Sequence, residues 1–390
     1  MQFSLTALCA VGAEKIVSNE LRKLPNMKII EGGFGKARFQ TDIEGLYTSL
    51  MALRTADRIL LEAGRFSADN FDGLFEHVKS IAWEDFIPHD MGLHIAKVRS
   101  RGSALKSEVS VQAVVHKAAA ERLCEKRRLN RLPEEKNAEI RVHIEKEQVF
   151  VLLDLSGDPL FKRGYRLEGG IAPLRETTAA SIILLSLWRR KFSLFDPFCG
   201  SGTIAIEAAL YAWNAAPGLG RNFAVSCLPF ASTAVESYVR EELAAKIDFN
   251  HPIAIYGKDS DENVIETAKA NLKRAYEIAL GHKLSGGMRE ELPFLPHFTV
   301  SQLGANLPVE DGGYLITNPP YGRRLGAKAD AEALYGQMGA FCRRLPGWKI
   351  CVITDHAGFE SFFGRKADSC REITNGAIGS YFFQFSGSRE

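Results

Sequence analysis

A short apolar segment that leads through a glycine-rich loop into a helix constrains the fold of this chain most. Residues 193–195 favour a β-strand, residues 196–203 read Asp-Pro-Phe-Cys-Gly-Ser-Gly-Thr, and residues 204–211 favour a helix. Further apolar strands are predicted at 254–256, 314–316 and 349–354, with helices between them. Strands that alternate with helices are typical of a parallel, doubly wound sheet. We therefore predict an α/β domain from residue 173 to residue 390.

The last twenty residues depart from this alternation. Residues 370–374 and 380–385 favour two strands on either side of Asn375-Gly376, a pair typical of hairpin turns. The sequence thus predicts an antiparallel hairpin at the end of the parallel sheet.

The first 155 residues are predicted to form two smaller α/β units. Residues 1–66 follow the order βαββαβ of a ferredoxin-like unit, with Asp42 as the cap of the second helix. Residues 67–155 combine a long helix over 106–126 with a hairpin over 139–154. Residues 156–172, rich in glycine and basic residues, are predicted to be a linker.

The composition argues against several classes of protein. Apolar residues make up 46% of the chain and charged residues 25%, as in globular proteins. Seven cysteines without a Cys-x-x-Cys pair indicate reduced thiols rather than disulfides or a structural zinc site. The apolar runs fall well short of the ~18 residues of a membrane span, and the N-terminus lacks the basic start of a signal peptide. We expect a cytoplasmic protein without a membrane or metal partner; the sequence does not indicate its oligomeric state.

The glycine-rich loop is predicted to bind a ligand. It follows a strand, where open α/β sheets bind their ligands, and Gly200 and Gly202 allow close approach of the backbone. The pattern Gly200-x-Gly202-x-x-Ala205 also matches a dinucleotide-binding fingerprint. However, the acidic residue that such folds place ~20 residues further on is missing. This spacing disfavours an NAD-dependent oxidoreductase.

Two carboxylates follow the next predicted strand. Asp259 and Asp261 precede a helix predicted over 262–276. A carboxylate at a strand end can accept both hydroxyls of a ribose, whereas an aspartate just before a helix can cap it. We favour Asp259 as the ribose ligand and keep Asp261 as a second candidate for either role.

The sequence Asn318-Pro319-Pro320-Tyr321 lies directly after another apolar strand. The two prolines end the strand and restrict the segment to an extended shape. The Asn318 oxygen and the Pro319 carbonyl could accept the two hydrogens of an exocyclic amine on a planar ring, and Tyr321 could stack on that ring. We interpret this loop as a site that holds an aminated base, of either adenine or guanine type.

With these motifs together, the chain resembles class I S-adenosylmethionine-dependent methyltransferases that act on exocyclic amines. It resembles in particular the bacterial RNA methyltransferases that carry a THUMP domain, including the 23S rRNA guanine-N2 methyltransferases. The similar stretches are residues 52–66, 83–88, 161–166, 172–180, 196–210, 215–223 and 318–325. The resemblance implies a Rossmann-like class I methyltransferase domain with a C-terminal β-hairpin, preceded by a ferredoxin-like/THUMP α/β RNA-binding domain.

The resemblance also implies roles for individual residues. The methionine part of S-adenosylmethionine would be lined by Asp196, Phe198, Gly200, Ser201, Gly202 and Thr203. Asp259 would hold the ribose, and Thr177 lies in a segment that closes over the cofactor carboxylate in such enzymes. Asn318 to Tyr321 would hold the target base. After the third strand this chain has Gln302 where relatives often have an acid that contacts adenine, so the adenine contact stays unassigned.

Positive charge is concentrated in residues 93–143, although the whole chain has a net charge of only +2. Lys97, Arg99 and Arg101 alternate, so they share one face if a strand continues that far. Such residues bind phosphates, which gives affinity and position rather than sequence reading. The RNA-binding candidates are Lys97, Arg99, Arg101, Lys106 and Lys117.

The sequence therefore predicts an S-adenosylmethionine-dependent RNA methyltransferase, with guanine N2 of 23S rRNA as the favoured target. A tRNA guanine-N2 or a DNA adenine-N6 methyltransferase is an alternative with the same chemistry. A non-catalytic RNA-binding protein of ribosome assembly is an alternative of another class, and lack of cofactor binding would support it.

Overall fold

The computed structural model describes residues 2–166, 174–283, 294–305, 312–320 and 328–387. Within these residues the strands form two seven-stranded sheets, one in each half of the chain. In the same residues no helix is both long and apolar enough to cross a membrane. The described part of the chain likewise contains no cluster of three or more potential metal-ligating side chains.

The N-terminal sheet has the strand order β2-β3-β1-β4-β7-β6-β5. Its strands are β1 (Phe3–Cys9), β2 (Lys28–Gly33), β3 (Lys36–Thr41), β4 (Ala56–Ser67), β5 (Gly92–Arg101), β6 (Asn137–Glu145) and β7 (Gln148–Asp154). Its helices are α1 (Glu14–Lys23), α2 (Ile43–Ala52), α3 (Phe71–Ser80) and α4 (Glu108–Arg127). The order βαββαβ predicted for residues 1–66 is confirmed.

Side-chain caps begin three of these helices, as the sequence chemistry favours. Asp42 accepts a hydrogen bond from the Gly45 N–H at 2.9 Å and so caps α2, which confirms the predicted cap. Asn70 and Ser107 cap α3 and α4 in the same way.

All four helices cover the same face of the sheet. Leu46, Val78 and Val115 on the helices belong to one apolar cluster with Leu5 and Val142 on the strands. Because side chains alternate along a strand, the residues next to Leu5 and Val142 lie on the opposite face, which is largely polar.

The N-terminal sheet is continuous across the predicted boundary at residue 66. Strand β4 pairs along its length with β7 in antiparallel register. The boundaries 1–66, 67–155, 156–172 and 173–390 stay a prediction, and residues 167–172 of the predicted linker lie outside the described residues.

The C-terminal sheet has the order β10-β9-β8-β11-β12-β14-β13. Its strands are β8 (Ser193–Asp196), β9 (Ile255–Asp259), β10 (His297–Val300), β11 (Gly313–Thr317), β12 (Lys349–Thr354), β13 (Ser369–Asn375) and β14 (Ile378–Phe385). Its helices are α5 (Glu176–Leu185), α6 (Thr203–Ala212), α7 (Thr233–Ala245), α8 (Glu262–Lys283), α9 (Lys328–Cys342) and α10 (Phe359–Phe363). The first five of these strands are parallel, and β14 and β13 add an antiparallel hairpin to them.

Helices cover both faces of this second sheet. Leu194 of β8 belongs to an apolar cluster with α6 and α8, whereas its neighbour Phe195 belongs to a cluster with α9 and α10. The predicted doubly wound sheet and its terminal hairpin are confirmed. The hairpin turn itself is Gly376-Ala377 rather than Asn375-Gly376, because Asn375 still pairs with Ile378.

Buried and partly buried hydrogen bonds join the two halves of the molecule. Arg54, which follows α2, donates to the Ala215 carbonyl at 2.7 Å. The Tyr47 hydroxyl accepts from the Ser232 N–H at 3.0 Å, and the Val11 N–H donates to the Thr374 hydroxyl at 3.0 Å. These hydrogen bonds hold the N-terminal sheet in a defined position on the C-terminal half.

Candidate active site

The polar groups of the candidate site lie at one edge of the C-terminal sheet. Strand β8 pairs in parallel with both β9 and β11, so the carboxyl ends of all three strands meet at that edge. Asp196 and Asp259 are the last residues of β8 and β9, and Asn318 directly follows β11. Asp196 and Asn318, which are more than a hundred positions apart in sequence, are thus brought together with Asp259 at the place where open α/β sheets bind ligands.

Asp196 connects two of these strand ends. Its carboxylate accepts a hydrogen bond from the Thr317 hydroxyl at 2.5 Å and another from the Phe198 N–H at 3.2 Å. The side chain is buried, and burial raises the pKa of Asp196 to about 7. The bond to Thr317 couples the start of the glycine-rich loop to the residue just before Asn318.

Asp259 supports the same loop from the other side. Its carboxylate oxygens accept from the Gly200 N–H and from the Asp261 N–H, each at 3.1 Å. The Asp261 carboxylate accepts from the Asn263 N–H at 2.9 Å at the start of α8, so its side chain acts as the helix cap. Asp259 thus lies beside the loop, Asp261 caps α8, and the roles of both aspartates toward a cofactor stay a prediction.

The two loop glycines have different surroundings. Gly202 has a φ of +83°, and a Cβ there would lie 2.9 Å from a ring carbon of Phe298 and 3.1 Å from the Ala268 Cβ. Gly200 has a φ of +53°, and a Cβ there would have no atom of the described residues within 4 Å. The protein therefore packs tightly under Gly202 and leaves open space beside Gly200. That space next to a carboxylate fits a ligand with hydroxyl groups.

A buried amide that the sequence analysis missed fixes the middle of the loop. Asn271 on α8 has no exposed surface and donates to the Ser201 carbonyl at 3.0 Å. Its oxygen accepts from Arg274 at 2.5 Å, and Arg274 also donates to the Tyr165 carbonyl at 2.7 Å. A polar residue in a predicted helix gives no local signal of this role, because its partner lies 70 positions earlier.

Arg166 ties the end of the loop to α5. It lies 3.3 Å from the Thr203 hydroxyl and 2.8 Å from a Glu176 carboxylate oxygen. Burial raises the pKa of Glu176 to about 7, although Arg166 acts in the opposite direction. The first turn of α5 is thus anchored next to the candidate cofactor loop.

Thr177 connects this segment to the N-terminal half. Its hydroxyl donates to an Asp57 carboxylate oxygen of β4 at 2.5 Å, and Arg175 lies 3.5 Å from the other Asp57 oxygen. The implied role of Thr177 toward the cofactor carboxylate stays a prediction. The structure adds that Asp57, a residue of the N-terminal half, holds the Thr177 side chain in place.

The candidate base-binding loop is described only in part. Asn318 and Pro319 are buried and Pro320 is partly exposed, whereas Tyr321 lies outside the described residues. Phe198 packs at the margin of the cluster that contains Phe195 and Leu315. Gln302, the candidate for the adenine contact, is exposed after β10.

The RNA-binding candidates do not all share one surface. Strand β5 reaches Arg101, and Lys97, Arg99 and Arg101 are exposed on one of its faces, as predicted. Lys106 lies in the loop after β5. Lys117 lies on α4, across the sheet, with its ammonium 3.9 Å from Glu121. The prediction that these five residues bind RNA stays a prediction.

Comparisons with known proteins agree on the type of enzyme. A family model described as the RMKL-like methyltransferase domain (UPF0020) matches residues 163–382. A second model, described as the RlmL ferredoxin-like domain, matches residues 4–60 and confirms the ferredoxin-like prediction.

Individual relatives match over nearly the whole chain. The Bacillus subtilis (strain 168) protein named "Putative RNA methyltransferase YpsC" is 36% identical over 98% of this chain and 96% of its own length. The ribosomal RNA large subunit methyltransferase K/L of Syntrophotalea carbinolica is 31% identical over 96% of this chain, and the chain spans only 52% of that relative. Among solved structures, SMU.472, described as "a putative methyltransferase complexed with SAH", is 35% identical with a TM-score of 0.86, covering 100% of this chain and 99% of that one.

Proposed function

This chain belongs to the RMKL-like methyltransferase domain family (UPF0020), whose members transfer methyl groups from S-adenosylmethionine, and we propose that it methylates guanine N2 in 23S rRNA. The enzyme class and the cofactor follow from the family and from the relative bound to SAH. The identity of the methylated base and the identity of the RNA are the parts that we propose. We also propose that the enzyme acts in the cytoplasm.

The observation that supports methyl transfer at this site is the Thr317–Asp196 hydrogen bond between two strand ends, and the name of the Syntrophotalea relative favours large-subunit rRNA as the substrate. This hydrogen bond sets the Asn318-Pro319 segment beside the loop that we assign to the cofactor. A base held by this segment would therefore lie next to the cofactor, as methyl transfer requires.

The cofactor assignment fits the groups at this edge. We place the methionine part of S-adenosylmethionine along residues 196–203, with Thr177 near its carboxylate, and the ribose at Asp259. The open space beside Gly200 and the adjoining carboxylate are consistent with this arrangement. When bound, S-adenosylmethionine supplies an electrophilic methyl group on a sulfonium.

The chain's own residues would act by orientation. The Asn318 amide oxygen and the Pro319 carbonyl would accept the two hydrogens of the base amine and so direct the nitrogen lone pair away from the ring. Alignment of this kind supplies a large part of the rate enhancement of a displacement. The amine proton becomes acidic once the nitrogen carries the new methyl group, so this mechanism requires neither a strong base nor a metal ion.

The test is methyl transfer from labelled S-adenosylmethionine to unmodified 23S rRNA, 16S rRNA and tRNA, with mass spectrometry of the product nucleosides. We expect N2-methylguanosine in 23S rRNA. N6-methyladenosine, or label confined to tRNA, would keep the chemistry and overturn the proposed target.

An Asn318→Ala variant serves as the control for background methylation. Label that persists in this variant at the wild-type rate would contradict the proposed site. Failure of the wild-type chain to bind S-adenosylmethionine would favour a non-catalytic RNA-binding protein.

A further inference from the structure

We propose that a cavity between the two halves of the chain binds a small organic monoanion, a carboxylate with an apolar body. This cavity, called the interface cavity below, has a volume of about 610 Å³. It is lined by α1 and α2 on the N-terminal side and by α7 and the ends of α5 and α6 on the C-terminal side. The proposal goes beyond the proposed function and does not depend on it.

The interface cavity is separate from the candidate cofactor site. Helix α6 begins at Thr203, the last residue of the glycine-rich loop, whereas the cavity is lined by Tyr211 near the other end of this helix and by Asn214 and Ala216 after it. At a rise of ~1.5 Å per residue, about 12 Å of helix separate the two places. Small-molecule sites are common at domain interfaces where apolar walls meet a few convergent polar groups. The cavity is therefore a second candidate ligand site.

The walls of the interface cavity are largely apolar. Apolar side chains from both halves contribute to them, namely Ile16, Leu24, Leu53, Leu184, Trp188 and Leu243. Two further lining side chains, Leu187 and Tyr238, are 71% and 52% exposed. Grouped apolar surface that stays open to water marks a place where another molecule binds. A ligand with an apolar body would cover this surface.

Leu187 has a backbone conformation that a leucine rarely adopts. It comes two residues after the end of α5 and has a φ of +58°, in the left-handed region where helices commonly end with a glycine. A side chain with a Cβ costs stability in this conformation, and an exposed leucine gains little packing in return. Strain of this kind is typical of sites that contact ligands. Leu187 is thus unfavourable for folding and supplies apolar surface to the cavity.

Two guanidinium groups converge on one ring of the cavity wall. Those of Arg54 and Arg190 lie 5.6 Å and 4.4 Å from the Tyr211 ring. Arg54 is buried, and its Nη2 donates to the Ala215 carbonyl at 2.7 Å. Its Nη1 is shielded from solvent and has no hydrogen-bond partner within the described residues. A buried cation with an incomplete set of partners is unfavourable until a negative charge lies nearby.

The charges around Arg54 do not balance. In the part of the chain that the structure describes, Arg163 pairs with Glu207 at 3.6 Å, but no carboxylate lies within ion-pair distance of Arg54 or Arg190. The groups that act on Arg54 are the carboxylates of Glu207 and Glu20 and the guanidiniums of Arg163 and Arg190. With Arg54 itself, three positive charges thus face two negative charges. Burial lowers the pKa of Arg54 to about 10, and Arg163 and Arg190 act in the same direction, against the two carboxylates.

Glu20 does not supply the missing negative charge. Its oxygens already accept from the N–H groups of Arg54 and Thr55 and from the Thr55 hydroxyl, and burial raises the pKa of Glu20. The other charged residues that line the cavity balance one another, namely Lys23, Glu44, Glu242 and Lys246. The site therefore lacks one negative charge, which a monoanion supplies and a phosphate dianion would exceed.

The ligand would bind with its two ends in different surroundings. Its carboxylate would pair with Arg190, which is partly exposed, and would lie in the field of the buried Arg54. Its apolar body would lie along the leucine-rich walls. Because these walls come from both halves of the chain, the ligand would contact both.

The first experiment titrates the full chain with anilinonaphthalene sulfonate, a fluorescent monoanion, and displaces it with phenylbutyrate or with the uncharged phenylbutyramide. We expect one binding site, and displacement by the carboxylate at a concentration at least about tenfold lower than by the amide. Excess S-adenosylmethionine should leave the dye bound. Displacement by S-adenosylmethionine would place the dye in the glycine-rich loop, and equal potency of the two competitors would show that the cavity does not select anions. Either result would overturn the proposal.

Variants of one arginine test the assignment of the charge. Arg190→Gln should weaken binding of the dye and of phenylbutyrate about tenfold or more, whereas Arg190→Lys, which keeps the charge, should stay within a few fold of the wild type. Arg189→Gln is the matched control, because it removes an exposed cation one residue away that does not line the cavity. Wild-type affinity in Arg190→Gln, or an equal loss in Arg189→Gln, would contradict the proposal.

Leu187→Gly separates ligand contact from folding. Glycine adopts the left-handed conformation without strain, so the Tm should stay the same or rise. Binding of the dye should nevertheless weaken several fold, because apolar contact surface is lost. A lower Tm together with wild-type affinity would mean that Leu187 serves folding alone, and it would count against the proposed site.

Discussion

The Thr317 hydroxyl donates to the Asp196 carboxylate at 2.5 Å, from the end of one strand to the end of its neighbour. The first residue of the glycine-rich loop and the last residue before Asn318 therefore cannot move independently. The rate of methyl transfer depends on how the methyl donor and the base are aligned. A hydrogen bond between the two segments that we assign to these substrates therefore couples the positions of the two binding sites.

Replacing Thr317 by valine tests this coupling, because the two side chains have similar shapes and only the hydroxyl is lost. The buried carboxyl would keep the Phe198 N–H as a partner, and we expect the free energy of unfolding to fall by about 1–3 kcal/mol. Methyl transfer should fall further than this loss of stability explains. Urea unfolding and single-turnover kinetics measure the two effects, and Thr317→Ser, which retains the hydroxyl, should recover most of both. A valine variant with wild-type kinetics would show that the coupling has no catalytic consequence.

Asn318→Ala should reduce turnover by about a hundredfold or more, since it removes one of two acceptors that orient the amine. Cofactor affinity should remain within a few fold of the wild type, because the assigned cofactor groups lie on other strands. Isothermal titration with S-adenosylmethionine, beside initial rates on RNA, separates the two. Equal losses of binding and turnover would contradict the role assigned to Asn318.

Asp259 and Asp261 have different observed contacts, and their variants should differ accordingly. Asp259→Asn should weaken S-adenosylmethionine binding about tenfold or more, because one charged acceptor for the ribose is lost. Asp261→Ala should instead cost about 1 kcal/mol of stability through loss of the α8 cap and leave cofactor affinity nearly unchanged. Thermal unfolding with and without cofactor measures both. If Asp261→Ala weakens cofactor binding as much as Asp259→Asn does, both aspartates contact the ribose.

A contact in this site can be predicted from the sequence when its two partners lie close together along the chain. The glycine loop after β8, the cap at Asp42 and the proline stop after β11 were predictable, because each arises within a few residues. The predicted parallel, doubly wound sheet places the carboxyl ends of its strands at one edge, and the strand order found in the structure brings Asp259, Asp196 and Asn318 together there.

Contacts between distant segments could not be predicted from local patterns. Asn271 to Ser201 and Thr177 to Asp57 join residues 70 and 120 positions apart, and nothing in their neighbourhoods indicates the partner. The polar face of the N-terminal sheet illustrates the same limit. The alternation of Lys97, Arg99 and Arg101 was visible, but the register that adds Arg65 and Phe150 exists only in the folded sheet.

Alanine at the two loop glycines should produce opposite phenotypes. At Gly202 the methyl group would lie 2.9 Å from Phe298 with φ at +83°, so we expect a destabilisation of about 2 kcal/mol or more. At Gly200 the methyl group enters open space, and only the backbone cost of about 1 kcal/mol applies. That space is the assigned cofactor site, so Gly200→Ala should lose S-adenosylmethionine binding while it stays folded. Denaturant unfolding and titration calorimetry provide the readouts. A Gly200→Ala variant with wild-type affinity would move the cofactor elsewhere along the loop.

The raised pKa of Asp196 predicts how the free energy of unfolding changes with pH. Burial raises the pKa from 3.8 to about 7, so between these values the folded protein keeps a proton that the unfolded chain has lost. This contribution to stability is complete below the lower value and is lost as the pH rises through the upper one. Asp196→Asn lacks it, so its free energy of unfolding should fall less steeply over this range, by at most about 1.4 kcal/mol per pH unit. Glu176 acts in the same direction but is present in both proteins, so the difference between the two curves isolates Asp196. Urea unfolding of both proteins from about pH 4 to about pH 7.5 measures it, and parallel curves would mean that Asp196 is already ionised in the folded protein.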